Sequence, residues 1–570
     1  MKNHSARGPL SAMTKPLNLS ALGMAISMSF SSLAATYSVV ELPTEELGVN
    51  VFAQTLDEQG NPGVVVQDHY NPPLDFSLIN FDSQTLQDNL TDIDAARAGN
   101  PNFDDYNYLV ALARSGSREN NVFVQQIALY QSYLIDGQVA QRVIGFDEER
   151  DETNGYTFGP DIYINDAISP SLYVGTSEGM FDKLNYTNAD DTQITFVLPE
   201  FERRGFINLN GNIVELTPAE AALGGVSEAN GVNSNRHVVG HQTIAISNQF
   251  QVLIDDCNDE TVRGDQPLEA CYRNIARNNA LATTNFRQAV KWEVDSSGQI
   301  IDQESFAYPF DFVRDPNDSI ERIYYSNARA INDSGTIVGE SSFADSNGDI
   351  QRFLTAAIFA DGQTTPFLNE NGQTPSSAYD VNDSNMVTGF YSREVNGTVR
   401  TKFYLYDLDA QQATFPDDFF PGSASLGRDI NNNNIIVGEG EVESANVQNR
   451  RRHGFIYYAD TNEFIDLNDA IGCEAPYTIV SAQAINDDNV ILANALVNRQ
   501  ARNVRGELVT DDDGQAVMVD KIIPVLLEPL ADGEVIDCDA QDNIIPERKG
   551  ASSSLWALLT LGLLAFRRRK

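Results

Sequence analysis

The sequence predicts an all-β repeat fold, a β-propeller of six to eight four-stranded blades, and three observations carry that prediction. A short unit, Ala-Arg-Ala-Ile-Asn-Asp-Ser-Gly-Thr-Ile-Val-Gly-Glu-Ser at residues 328–341, recurs along the chain. Its Asn falls at 332, 382, 431 and 486, giving periods of 50, 49 and 55 residues. Each copy is followed by a second pair of β-rich runs, so one period holds four short strands, the size of a propeller blade. A β-solenoid is the competing geometry, but its coils take only about 20–30 residues.

The unit itself reads as a hairpin. Ile331 precedes an Asn-Asp-Ser-Gly cluster and Ile337-Val338 follow it, which is two strands around a tight turn. Gly335, Asn385 and Asn434 close the turn in successive copies, the residue types that tolerate a left-handed backbone. Further copies stand at residues 379–389, 428–438 and 484–492, the last without its closing Gly. Upstream, residues 231–240 and 163–175 read as two more. The shared Asn slot is therefore expected at Asn165, Asn233, Asn332, Asn382, Asn431 and Asn486. A side-chain amide bonding its own turn accounts for an Asn at such a place.

The second hairpin opens with an aromatic strand after a basic residue: Arg352-Phe353, Lys402-Phe403 and Arg451-Arg-His-Gly-Phe455. With the Ala-x-x-Ile-Asn-x-x-Gly-x-Val-Val-Gly spelling, this resembles the HAF repeats of exported bacterial proteins, over roughly residues 160–500. His453 alone keeps the His of that pattern. The resemblance implies an extracellular repeat protein of unknown activity.

Taken in order, residues 1–35 read as a secretory signal. Lys2, Arg7 and Lys15 precede an apolar run at 17–33, with small residues before Ala34 and Ala35, the expected cleavage positions. Residues 36–160 form a diverged β region, in which 37–42 is a strand able to open or close the array. Within it, 86–114 has helical spacing, and a hairpin turns at Asp136-Gly137. The repeats proper span 161–545, interrupted by an insertion at about 242–290. Cys257, Cys271, Cys473 and Cys538 are expected to form disulfides in an oxidising compartment, with Cys257–Cys271 and Cys473–Cys538 the chosen pairing among three.

Residues 550–570 are a second address. Gly550, Ala551 and Ser552 lead into a 12-residue apolar run, 555–566, and then Arg567, Arg568, Arg569 and Lys570. As a helix the run is about 18 Å long, short of a bilayer core of about 30 Å. The segment resembles a GlyGly-CTERM sorting signal, with Gly-Ala where that signal has Gly-Gly. The resemblance implies removal by a rhombosortase, and a retained membrane anchor is the alternative. Together the termini place the expected protein across the inner membrane of a Gram-negative cell, at the cell surface or outer membrane. Its partners at that stage are the export and sorting machinery.

Composition narrows the partners. Eighty-one acidic against 38 basic residues give a net charge of −43, which repels phosphate backbones and excludes nucleic-acid binding by counterion release. With 42% hydrophobic residues, the chain can bury a core.

No catalytic constellation stands out. Gly175-Thr-Ser-Glu-Gly179 spells a nucleophile elbow, yet it lies in a repeat strand rather than a strand–turn–helix. His237 and His241 share a strand face by their even spacing, without a third ligand. Asp345, Asn347 and Asp349 alternate like the start of a calcium loop, but Ile350 and Ala356 occupy the positions that need Gly and Glu. The expectation is thus no cofactor, a polar turn at 345–349, and a looser calcium site there as the alternative. Function is expected to be binding of a surface protein or polysaccharide. The alternative is a hydrolase or lyase acting on an extracellular polymer at the propeller channel.

Overall fold

The computed structural model describes residues 36–115, 125–149, 155–221, 225–279, 284–319, 321–368, 374–444, 450–472 and 475–531. Its strands assemble into seven four-stranded antiparallel sheets arranged as the blades of a propeller. Blades 1 to 6 begin at the strands Gly48–Leu56, Ile162–Ser169, Ser227–Val232, Ser326–Ile331, Ser376–Val381 and Ser425–Ile430. Blade 7 starts at Thr478–Ile485 and is completed from the other end of the chain, where Thr36–Glu41 pairs antiparallel with Met518–Leu530. That N-terminal strand closes the ring.

Blades 1 to 6 follow the two-hairpin plan read from the repeat, and blade 7 keeps only its first hairpin. In blade 4, Ser326–Ile331 and Ile337–Ala344 flank the Asn-Asp-Ser-Gly turn, then Ile350–Ala360 and Gln363–Pro366 flank Asp361-Gly362. Gly335 has φ +91, and Asn385, Asn434 and Asn489 hold the equivalent place at φ 58, 57 and 62. Arg236 takes it in blade 3 at φ 63, without the relief that Gly or Asn offers. Apolar side chains on the two faces of each sheet meet those of the neighbouring blades. One such cluster runs from Val437 and Ile456 of blade 6 to Ile479 and Val525 of blade 7 and Tyr37 of the closing strand.

Because strands alternate in direction, the turns between first and second strands lie on one face, and the connections between second and third strands on the other. The second face carries the elaborations. In blade 1 this connection holds the helices Gln84–Asn89, Ile93–Arg97 and Phe103–Ser115. Blade 2 adds the hairpin Phe181–Thr187 and Gln193–Pro199, and blade 3 adds helices from Asn248 to Asn278. The expected insertion at 242–290 is corrected to a shorter one. His237–Ile246 and Asn285–Val294 pair from His237↔Glu293 to Ile246↔Asn285, with Gln242 and Thr243 buried in that ladder. Cys257 and Cys271 bridge the insertion's helices. Blade 7 adds the 501–517 arm, while blades 4 and 5 have only short turns here, so the elaborated face is walled on the side of blades 7, 1, 2 and 3. No helix among the described residues is long and apolar enough to cross a membrane.

Candidate functional site: the central channel

The first strand of every blade lies innermost, and a bulge interrupts its pairing at one level all round the ring. The register skips a residue at Gln54, Asn165, Asn230, Arg329, Tyr379, Arg428 and Gln483. A bulge leaves its extra residue unpaired and re-aims the side chain. All seven bulge residues line the central cavity.

This device explains the closing Gly of the repeat. A Cβ on Gly339 would sit 2.0 Å from the Asn327 carbonyl oxygen, and one on Gly389 2.1 Å from that of Ser377. In these blades the bulged strand presses its backbone against this position so that only hydrogen fits, whereas Val64 occupies the slot in blade 1. Ala493 occupies the slot in blade 7, where the register slips at a second place, between Ile479 and Ser481.

The repeated Asn does two things. Asn382 accepts through Oδ1 from the backbone N–H of Ser384 and Met386, both at 3.0 Å, which fixes its own turn. Its Nδ2 donates to the carbonyl of Asn431 in the next blade at 2.9 Å. The same link runs from Asn233 to Asn332, Asn332 to Asn382, and Asn431 to Asn486. A parallel chain runs one residue on: the N–H groups of Ser234, Asp333, Asp383, Asn432 and Asp487 donate in turn to Asp333, Asp383, Asn432, Asp487 and Glu58. These two ladders tie blades 3 to 7 around one mouth of the channel, and the second reaches blade 1.

Asn165 stands apart from the other five. It lies within Ile162–Ser169, where Ile164↔Gly175 matches Ala328↔Gly339, so it corresponds to Arg329 at the bulge. Its amide donates to the Thr176 hydroxyl and the Ala229 carbonyl. The spacing carried the signal, since Asn165 precedes Gly175 by ten residues whereas Asn332 precedes Gly339 by seven.

The channel cavity measures about 690 Å³ and runs from the bulge ring to the turns at that mouth. Seven carboxylates line it, those of Glu58, Asp166, Asp333, Asp380, Asp383, Asp429 and Asp487, against the guanidiniums of Arg329 and Arg428. The arginines flank Tyr379 at 4.9 and 5.5 Å from its ring centre. Glu340 and Glu439 hold them from behind at 2.8 and 2.9 Å. Inner strands are sheet edges with unpaired N–H groups, and three aspartates serve them across the seams. Asp166 accepts from Val232 N–H at 2.9 Å, Asp380 from Ile430 at 3.0 Å, and Asp429 from Ile485 at 2.7 Å. Withdrawal from water pushes the Asp166 carboxyl up to about 6, with the charge of Asp380 adding to it. Asp429 is raised well above the usual carboxylate range by burial first, then by the charge of Asp380 and a hydrogen bond to it. Asp429 therefore keeps its proton at pH values where lone aspartates have lost theirs.

Above the bulge ring a charged network continues toward the elaborated face. Asn230 donates to Asn327 Oδ1 at 2.6 Å, which His241 Nδ1 also meets at 3.2 Å. His241 is fully buried, and desolvation lowers it to about 4 despite Glu228 nearby. Glu178 is pushed up to about 7, chiefly by burial and then by the charge of Asp161.

The other residues singled out in the sequence lie elsewhere. Ser177 is a buried strand residue donating to the Glu178 carbonyl. His237 is partly exposed beside Glu293 and does not meet His241. Asp345 caps its own turn, accepting from the N–H of Asn347 and Asp349 at 2.9 and 3.0 Å, remote from the channel. No metal-holding cluster of His, Cys, Asp or Glu occurs among the described residues. Ala34, Ala35, Cys473, Cys538, Gly550, Ala551, Ser552, Arg567, Arg568 and Arg569 lie outside the described residues.

Over residues 14–569 the chain matches the family described as "Protein of unknown function (DUF3466)". The chain belongs to DUF3466. No curated protein matches it. Among solved structures it is similar to a puromycin-hydrolyzing peptidase of Mycobacterium tuberculosis, at 10% identity and a TM-score of 0.29. That match covers 64% of this chain and 45% of the peptidase. An acylaminoacyl peptidase of Pyrococcus horikoshii matches at 9% identity and a TM-score of 0.27, covering 81% of this chain and 60% of that one. This DUF3466 member thus spans less than two thirds of either structure, and the likeness carries no argument about its channel.

Proposed function

We propose that this protein is an exported, cell-surface binding module whose channel receives a segment of neutral or amino-bearing polysaccharide. The observation that carries the reading is the cavity of about 690 Å³ walled by all seven inner strands. Its bulge residues supply amides, two guanidiniums and a tyrosine ring, and its mouth supplies carboxylates. Such groups hydrogen-bond vicinal hydroxyls and stack against a sugar face, and the size falls within the range of small-ligand sites. Seven carboxylates against two arginines disfavour uronate or sulfated chains. Export is supported by the basic-then-apolar start of the sequence and the Cys257–Cys271 bridge. Likeness to HAF repeats and to a GlyGly-CTERM tail supports the surface address.

Glycan-array screening followed by calorimetry tests this. Wild-type protein should bind neutral or amino-bearing oligosaccharides, and Tyr379→Ala should weaken that binding at least ~10-fold, the scale of losing an aromatic stacking contact and its flanking order. Binding confined to acidic glycans, or to a protein partner with no effect of Tyr379→Ala, would sink the reading.

One observation favours hydrolysis as a second reading, namely the two carboxyls of Asp380 and Asp429 that meet at the Ile430 N–H on the cavity wall, with Asp429 raised by burial and by its neighbour. A carboxyl that keeps its proton beside a second carboxyl can combine an acid and a base at one place. Release of new chain ends from a bound polysaccharide, lost in Asp380→Asn, would establish it.

A further inference from the structure

The channel cavity has two tiers of carboxylates. Glu58, Asp333, Asp383 and Asp487 stand exposed on the turns at its mouth. Asp166, Asp380 and Asp429 stand deeper and half-buried, each one residue past the bulge of its strand.

These carboxylates have no counter-charge. Among the described residues none of the seven meets a Lys, Arg or His within ion-pair distance, and the two arginines of the lining are already matched from behind, Arg329 by Glu340 and Arg428 by Glu439. Their partners are N–H groups instead. Asp487, for example, accepts from the backbone and side-chain N–H of Asn432 at 2.8 and 2.9 Å. Such donors ease the charge without supplying the opposite sign. Glu58 is raised by burial first, with the Asp487 N–H opposing and the charges of Asp487, Asp57 and Asp488 adding to it. A cavity walled this way is complementary to a cation.

The cavity also stops at the bulge ring. One step further toward the elaborated face the inner strands carry Asn327, Ser377 and Ser481, which are 4%, 0% and 6% exposed. Water in a lumen that ran on would reach these polar side chains. Side-chain bonds close the wall there: Asn230 to Asn327 at 2.6 Å, Asn165 to Thr176 at 3.1 Å and Asn494 to Ser481 at 3.1 Å. A blind space of about 690 Å³ has the size of a small-ligand site and takes the end of a chain rather than a length of it.

We propose, resting on the polysaccharide reading above, that the channel is a socket for the amino-bearing end of a glycan. The terminal residue enters past the turns, its ammonium group lies against the deeper aspartates, and the chain leaves by the same mouth past the outer carboxylates. The amides of Gln54, Asn165, Asn230 and Gln483 on the remaining wall suit that residue's hydroxyls.

Calorimetry on the full chain tests this with four probes: linear and cyclic tetramers of β-1,6-linked glucosamine, the N-acetylated linear tetramer, and trilysine amide, which carries the linear tetramer's charge. The linear glucosamine tetramer should bind at least ~10-fold more tightly than each of the others, the scale of one charge-assisted hydrogen bond. Asp383→Asn should weaken it ~3-fold or more, the scale of an exposed ion pair, and leave the acetylated tetramer unchanged. Asn432 on the next rung shows that an amide fits such a place, and Asp487→Asn gives the same reading if Asp383→Asn fails to fold. Equal binding of the cyclic or the acetylated tetramer overturns the inference while the polysaccharide reading survives. Equal binding of trilysine amide overturns it as mere charge attraction, and no binding by any of the sugars sinks both readings.

Discussion

The inter-blade asparagine ladder makes a strong demand of a single residue, Asn382. Its side chain is 4% exposed and forms four hydrogen bonds. Two are accepted from Ser384 and Met386 in its own turn, and two are donated to Asn431 and Asn434 across the seam. Asn382→Ala deletes all four, leaves a buried N–H at Met386 short of its acceptor, and takes one of two donors from the Asn431 carbonyl, which keeps the Asn434 N–H. Unmet buried groups cost about 1–3 kcal/mol each, less where water at the channel mouth reaches them. The expected loss is about 2–4 kcal/mol. Asn382→Asp separates the two roles, keeping both accepted bonds while losing both donated ones. Its second carboxylate oxygen faces the Asn431 carbonyl and Asn434 Oδ1 with no proton between them, so it should lose at least as much stability as Asn382→Ala. Denaturant unfolding supplies the total, and hydrogen exchange of the Asn431 and Asn486 turns locates it, since a chain this large need not unfold in one step. A change below about 0.5 kcal/mol, the usual range for a surface substitution, would show that the ladder is incidental to the fold.

Three further outcomes are expected. Gly389→Ala forces a Cβ to 2.1 Å from a backbone oxygen and should cost about 3 kcal/mol or prevent folding, whereas Gly348→Ala, in open space at φ +87, should cost only backbone strain; parallel melting curves compare them. Asp429 has a raised folded pKa, so the stability tied to its proton is present below the unfolded value near 4 and is lost as pH rises through the folded one. Asp380→Asn replaces the carboxyl beside Asp429 with a permanent amide donor, and its stability relative to wild type should grow from pH 4 to pH 8 in denaturant titrations; a gap independent of pH would refute the pairing. Reducing Cys257–Cys271, which spans 14 residues, removes a loop restraint of about 3 kcal/mol, and limited proteolysis should cut the blade 3 helices first while the blades stay protected.

The parts of this fold that were legible from sequence are those where backbone geometry dictates the residue. The turn Asn, the left-handed position at 335, 385, 434 and 489, and the closing Gly recur because few side chains satisfy those backbones. The bulge ring was hidden for the opposite reason. A bulge side chain points into open channel, so Gln54, Asn165, Asn230, Arg329, Tyr379, Arg428 and Gln483 share a position without sharing a type. That freedom misplaced Asn165, whose spelling imitates the turn. Blade 1 was unreadable because residues 70–129 separate its two hairpins and its first turn carries Asp57 and Glu58 in place of the Asn. The channel carboxylates could not be told from the other acids, since their setting arises only when strands about 50 residues apart converge.

The closing strand also imposes an order of events. Ser38 donates to the Glu528 carbonyl, a contact between residues 490 apart, and the six-residue pairing around it completes blade 7. Six blades can form as the chain lengthens, but the seventh waits for its final strand. Until then the apolar flanks of blades 1 and 7 face solvent, and Thr36–Glu41 is an unpaired edge with Val39 and Val40 ready to seek any free strand. Two partly made chains at high concentration could satisfy that need for each other, so the hazard for this architecture is a swapped ring. The strand that locks the circle makes a pairing of very long sequence separation, the kind whose closure entropy must be met before the contact is gained and which leaves assembly exposed to error.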